Sequence, residues 1–131
     1  MTPRPTIYQA VAGVALLVAA CPDCAAKGKV PQRVGDCVDT RISFIGGVYA
    51  APAPNQNGAI VNYANDEASV SFKQEPEIER SQLGDPIRLC LVSIDRACPK
   101  GDRRSRVYRA TNLRTHGVWE LGNSVHACGG A

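Results

Sequence analysis

The chain has 131 residues, 44% of them hydrophobic but only 5% aromatic, with six cysteines and a formal net charge of +3. That length suits one domain with a sizeable core, and so modest a charge gives no reason to expect nucleic acid as a partner. From the N-terminus, an apolar run of eleven residues, Ala10 to Ala20, stands behind Arg4. A helix needs about 20 such residues to span a bilayer, so the run suits the hydrophobic region of a secretory signal peptide. Arg4 and the terminal amine supply its positive end.

Two cleavage sites compete. VAAC at Val18–Cys21 resembles a lipobox, which would make Cys21 the lipidated N-terminus; CAA at Cys24–Ala26 offers small residues at −3 and −1, with Pro22 just upstream. Cutting after Ala26 leaves Cys37, Cys90, Cys98 and Cys128, an even set able to close two bridges, whereas cutting after Ala20 leaves Cys24 odd. The expected organisation is a signal peptide over 1–26, cleaved after 20 or 26, and a single disulfide-bonded domain over 27–131. Export, to the periplasm or beyond, would carry the cysteines into oxidising surroundings where bridges persist. A membrane enters only if Cys21 carries lipid.

Residues 27–35 lack apolar periodicity and read as a flexible lead-in. Thr40–Ile45, rich in β-branched residues, predicts the first strand, ended or bent by Gly46-Gly47. Pro52 and Pro54 make the stretch from Ala50 to Gly58 a loop. Ala59–Tyr63 and Ser69–Phe72 read as a hairpin about Asn65-Asp66. Pro76 argues against a continuous strand in the polar segment that follows, and Gly84-Asp85 marks a turn. Pro86–Ile94 is the strongest strand, apolar on both faces at its centre and therefore expected deep in the sheet. Strands over Arg106–Asn112 and Val118–Leu121 complete an all-β domain, a small antiparallel barrel or sandwich of about six or seven strands.

Charge is unevenly placed. Asp36 to Asp95 hold nine acidic and four basic residues, a balance of −5, while Arg96 to Ala131 hold seven basic and two acidic, a balance of +5. The asymmetry is consistent with attraction between the halves inside one domain, or with a second half that meets an anionic envelope component such as lipid head groups or acidic glycans. Lys100, Arg103, Arg104, Arg106, Arg109 and Arg114 are the candidate anion-binding residues. In an extended segment Arg104, Arg106 and Tyr108 share one face and Arg109 takes the other. A solvated charged face is the plain alternative, with Glu75, Glu77 and Glu79 as internal partners.

Chemistry has few candidates. Cys21-Pro-Asp-Cys24 is formally C-x-x-C but ends an export signal. His126-x-Cys128 would align two metal-capable side chains, yet zinc needs about three or four ligands and the cysteines are expected in bridges, so no metal and no cofactor are assigned. A cysteine nucleophile fails for the same reason, and neither Ser93 nor Ser124 sits in a G-x-S-x-G elbow. Asp85, Asp95 and Asp102 accompany turns, where aspartate serves local hydrogen bonds. No catalytic residue is assigned. The reading is an exported, non-catalytic β domain with a binding or structural role in the cell envelope; the alternatives are a lipoprotein of the same fold or a small hydrolase using His126. Four cysteines allow three connectivities, and sequence does not choose among them. Cys90 with Cys98 would pin one turn and leave Cys37 with Cys128 to join the domain's ends.

The segments GDPIRLCLVSI, CPKGDRR, VYRATNLRT and HACGGA resemble a group of small exported bacterial proteins without an assigned function. The resemblance covers residues 36–131 and is densest from Gly84 onward. Its carriers are Gly84, Asp85, Cys90, Cys98, Pro99, Gly101, Asp102, Tyr108, Asn112, Arg114, Thr115, Trp119, His126, Cys128, Gly129 and Gly130. The chain departs from the pattern at Asp95, Ser105 and Gly122-Asn123. The resemblance implies export and a bridged β domain, and it implies no reaction.

Overall fold

The computed structural model describes residues 2–3, 28–49 and 58–129. The expected signal peptide with Cys21 and Cys24, and most of the proline-containing loop after Tyr49, lie outside the described residues. In chain order the elements are β1 (Cys37–Gly46), β2 (Ala59–Tyr63), β3 (Ala68–Ser71), α1 (Pro76–Glu79), β4 (Pro86–Ile94), β5 (Arg106–Asn112) and β6 (Val118–Gly122). The strands close into an antiparallel barrel in the order β1-β2-β3-β6-β5-β4. The expected all-β class and barrel are thus what the chain forms.

Alternation explains why these segments are strands. Side chains along a strand point to opposite faces, so every second residue enters the barrel. From β4 these are Ile87, Leu89 and Leu91, and from β2 Ala59, Val61 and Tyr63; all are buried. Tyr108 and Ala110 of β5 and Trp119 of β6 complete the core with Ile42 and Ile78. Both phenylalanines, Phe44 and Phe72, are exposed, so tyrosine and tryptophan supply the interior's aromatic bulk. The apolar appearance of both faces of β4 has a local cause. Cys90 lies on the outer face because it is bridged to Cys37, its register partner on β1, and Arg88 beside it is exposed.

β1 carries the closure. Its first half pairs with β4 and its second half with β2, with a register shift between Ile42 and Phe44 where it bends from one neighbour to the other. On the β1–β4 seam Arg88 grips Asp39 through Nε to Oδ1 at 2.9 Å and Nη2 to Oδ2 at 3.1 Å. The opposite seam is slight: β3 and β6 share only Val70↔Gly122. There α1 helps to cover the gap. Pro76 fits its first turn, where an N–H would lack an intrahelical partner, and Ile78 enters the core. Glu77 lies so close to Gly117 that a Cβ there would meet its carboxylate.

The helix is an addition to the sequence reading, too short to leave a 3.6-residue signature. The lead-in is a correction. Pro31 is fully buried, Lys29 O accepts from Asn65 Nδ2 at 3.2 Å, and Gly35 N donates to Leu91 O at 2.9 Å. Residues 28–36 are fastened to the barrel because backbone groups, invisible to a hydropathy pattern, find partners there. The bridges also differ from the nearest-neighbour pairing: they are Cys37–Cys90 and Cys98–Cys128. Cys90 points away from the loop that carries Cys98, and β1 delivers Cys37 opposite it.

Inside the barrel, Trp119 Nε1 donates to Tyr63 Oη at 3.0 Å, and Tyr63 Oη lies 2.7 Å from Ser69 Oγ. Burial pushes the Tyr63 hydroxyl up to about 12 against the pull of Ser69 and Trp119. Tyr63→Phe strands both partners in a dry interior. It is expected to cost about 1–3 kcal/mol in denaturant unfolding; stability equal to wild type would show that this chain of bonds contributes nothing.

Candidate functional site

The barrel has two unlike ends. At the first, Asp85 is 3% exposed and fully engaged. Its Oδ1 accepts from Arg114 Nε at 2.5 Å, and its Oδ2 accepts from Arg114 Nη2 at 2.8 Å, Asn112 Nδ2 at 2.7 Å and Gln82 N at 2.9 Å. Asn112 is itself saturated: Nδ2 also reaches Ser81 Oγ at 2.8 Å, and Oδ1 accepts from Arg114 N at 2.9 Å and Thr115 N at 3.2 Å. Arg114 Nη2 adds a bond to Arg80 O at 3.0 Å. The effect is to clamp residues 80–85 against the β5–β6 turn.

The second end gathers the β2–β3 turn, the loop between β4 and β5, and the segment after β6. Asn65 shapes the turn: its Oδ1 accepts from Glu67 N at 3.3 Å, while Asp66 takes a positive φ of 66°. The turn delivers Glu67, 7% exposed, to the contact with Arg103 Nη2. Asn123 approaches the other oxygen of Glu67 at 3.5 Å, donates to Arg103 O at 2.8 Å and accepts from Arg106 N at 3.2 Å. Val30, Asn65, Glu67, Arg103, Asn123 and Ser124 stand among the walls of an open cleft of about 410 Å³.

The loop that carries Arg103 is held in several ways. Arg104 forks onto Asp102, with Nε to Oδ1 at 3.0 Å and Nη2 to Oδ2 at 2.6 Å, and keeps that carboxyl well below the usual range. Cys128 N donates to Ser105 Oγ at 2.9 Å, beside the Cys98–Cys128 bridge.

Arg106 and Tyr108 point inward from the start of β5, and Tyr108 is fully buried. Among the described residues, Thr40 Oγ1, Arg106 Nε and Nη1 and Tyr108 Oη are buried without a short, well-aligned hydrogen bond. Burial raises the Tyr108 hydroxyl above its ordinary value and the charge of Glu67 adds to this, while hydrogen bonding from the Arg106 and Arg103 guanidinium groups opposes it.

The six basic candidates are therefore dispersed. Arg103 and Arg104 stand at the cleft, each with a carboxylate, and Arg106 opens β5. Arg109 pairs with Glu120 on the outer face at 2.8 Å, Arg114 belongs to the opposite end, and Lys100 is exposed in the loop. The suggested internal partners change as well. Glu77 pairs with Arg80 and Glu75 accepts from Ser71 Oγ at 2.8 Å, while Glu67, Asp85, Asp102 and Glu120 take the arginines of the basic segment. Arg106 and Tyr108 do share a face, and Arg109 takes the other.

His116 occupies a positive-φ turn position and His126 is exposed before Cys128. Asp95 and the two sulfurs of Cys98–Cys128 lie within 4.8 Å of one another, but bridged sulfurs are not thiolate ligands. Sequence reasoning missed Glu67 and Asn123. Neither sits in a motif, and only the barrel's closure brings them to Arg103, 36 and 20 residues away.

The Asp85 clamp has a pH consequence. Hydrogen bonds from Arg114 hold its carboxyl well below the usual range, ahead of burial, which acts in the opposite sense. Because the folded value is depressed, the clamp's stabilisation is present above the unfolded value of about 4 and is lost as pH falls through the folded value. Wild type is therefore expected to lose stability below about pH 4 more steeply than Asp85→Asn, which should already be weaker at pH 7. Parallel curves would show that Asp85 does not drive acid unfolding. No family model, curated protein or solved structure matches the chain.

Proposed function

We propose that this protein is an exported, non-catalytic β-barrel domain with a binding role in the cell envelope, and that it binds an anionic component through the cleft at the Glu67–Arg103 end. The observation that carries the reading is the open cleft of about 410 Å³, whose walls include Arg103 and Arg104 of the basic segment. Two disulfides fit an oxidising compartment, and no helix among the described residues is long and apolar enough to cross a membrane. The apolar run behind Arg4 supports export to the periplasm or beyond. The exposed, separate placement of His116 and His126 favours binding over hydrolysis.

Two measurements test this reading. Intact mass of the cell-exported product should show loss of residues 1–26 and a drop of two hydrogens for each of two bridges. An acyl-modified chain beginning at Cys21 would instead make it a lipoprotein, and an unprocessed, fully reduced chain would remove export altogether. Retention on vesicles rich in phosphatidylglycerol should fall steeply as salt rises, since exposed charge attractions are screened over about 10 Å at 0.1 M. Retention that ignores salt, or is absent, counts against an anionic partner. Loss of an activity in His116→Ala or His126→Ala at unchanged stability would restore the hydrolase.

A further inference from the structure

We propose that the turn Arg33–Asp36 and the groove beside it form the face by which the barrel docks on an anionic lipid bilayer. This rests on the anionic-partner reading above, names the bilayer as the partner, and adds a contact beside the cleft.

The turn is built to display an apolar tip. Asp36 N donates to Arg33 O at 2.9 Å and Arg33 N donates to Asp36 Oδ2 at 3.0 Å. Gly35 takes a φ of 94°, the left-handed conformation that such a turn needs at its third residue. Gly35 N then fastens the turn to Leu91 O of β4 at 2.9 Å. Val34 is left at the corner with 60% of its surface exposed, held there by bonds on both sides. Next to it, Val92 and Ile94 line a groove of about 460 Å³, with Val92 at the register shift of β4 between Leu91 and Ser93. Exposed aliphatic surface on a fixed frame marks a place of contact.

Charge selects the partner. The groove is lined by Arg33 and Arg96 and by no carboxylate, whereas the neighbouring cleft sets Asp66 and Glu67 beside Arg103 and Arg104. Arg33 reaches Asp36 only at 3.8 Å with both side chains exposed, a pair worth little in water. Arg96 is exposed and forms no ion pair among the described residues. The acids nearest in sequence, Asp36 and Asp95, each accept a backbone N–H, from Arg33 and Ala97. Two guanidiniums beside an aliphatic tip match the chemistry of an anionic bilayer. The valine enters the boundary between head groups and acyl chains, and the long basic side chains lay their stems on apolar surface and reach phosphate. A soluble polyanion would engage the guanidiniums and leave Val34 in water.

The test sediments the exported chain with vesicles of phosphatidylglycerol and, separately, of phosphatidylcholine. Wild type should pellet with the first and not with the second. Val34→Ser, which keeps every charge, should weaken retention several-fold, and Arg33→Gln combined with Arg96→Gln should weaken it about tenfold or more. Val34→Trp should strengthen it, and the new indole emission should move to the blue on phosphatidylglycerol, with buried Trp119 as an unchanged background. Leu83→Ser, exposed at the opposite end of the barrel, should bind as wild type. Thermal unfolding should be the same in all of these variants, since each altered side chain is exposed. Equal retention on the two lipids overturns the assignment. Salt-sensitive retention that the Val34 and arginine changes leave untouched, or a Val34→Trp emission that stays in place, removes this face and leaves the cleft reading standing. Absent retention removes both.

Discussion

The seam between β1 and β4 is what turns six strands into a barrel. Without it the order would be an open sheet with β1 and β4 as unpaired edges, each presenting free backbone groups for aggregation. Three devices hold it: a run of five register pairs, the Asp39–Arg88 fork and the Cys37–Cys90 bridge. The bridge matters most to the unfolded chain. It spans 53 residues, and closing so long a loop in advance corresponds to about 4 kcal/mol in the chain-entropy estimate. That is a large share of the roughly 5–15 kcal/mol a domain has in total. Fixing this seam covalently lets the opposite one, β3–β6, be short.

That short seam shapes the rest. Because β3 stops at Ser71, the chain turns away through α1 and comes back at residues 80–85, where Asp85 anchors it to the β5–β6 turn. Gly117 has no side chain because Glu77 occupies the space, and Gly58, at a φ of 59°, passes so near Ser71 O that a Cβ would collide with it. One end of the barrel is thus sealed by close backbone approach and a saturated hydrogen-bond cluster. The other end is assembled from three connections and the bridge Cys98–Cys128, with open space between them. Loops on a rigid frame are where binding groups can vary without loss of fold.

The strands were legible because a closed barrel imposes strict alternation, and segments such as Ile87–Leu91 and Ala59–Tyr63 display it without interference. The four-cysteine set was legible from parity. Connectivity was not, since it depends on which strand β1 joins, a fact about topology and not about spacing. Of the lead-in expected over 27–35, the described residues 28–35 are held for a related reason that local sequence does not show: their partners are Asn65 and Leu91, and a single proline is buried. Of the candidate site, Arg103, Arg104 and Arg106 stood out as part of a basic cluster. Their acidic partner Glu67 did not, because nothing in a local window ties a turn residue to an arginine 36 positions later.

The opposed balances of −5 and +5 in the two parts of the chain are also resolved by topology. Glu67–Arg103 and Asp85–Arg114 join the acidic part to the basic one, and each places a nearly buried carboxylate against a half-exposed guanidinium. Asp102–Arg104 and Glu120–Arg109 consume charge within the basic part. The asymmetry is therefore spent mainly on holding loops to the barrel, and it leaves no broad cationic face made of these arginines. What survives is local. Arg106, first residue of β5, takes the inward side of the pleat with Tyr108, and Glu67, whose charge acts on Tyr108, is committed to Arg103. The basic segment thus reaches the open cleft through Arg103 and Arg104, each already held by a carboxylate, so its charge fixes loops before it can attract anything else.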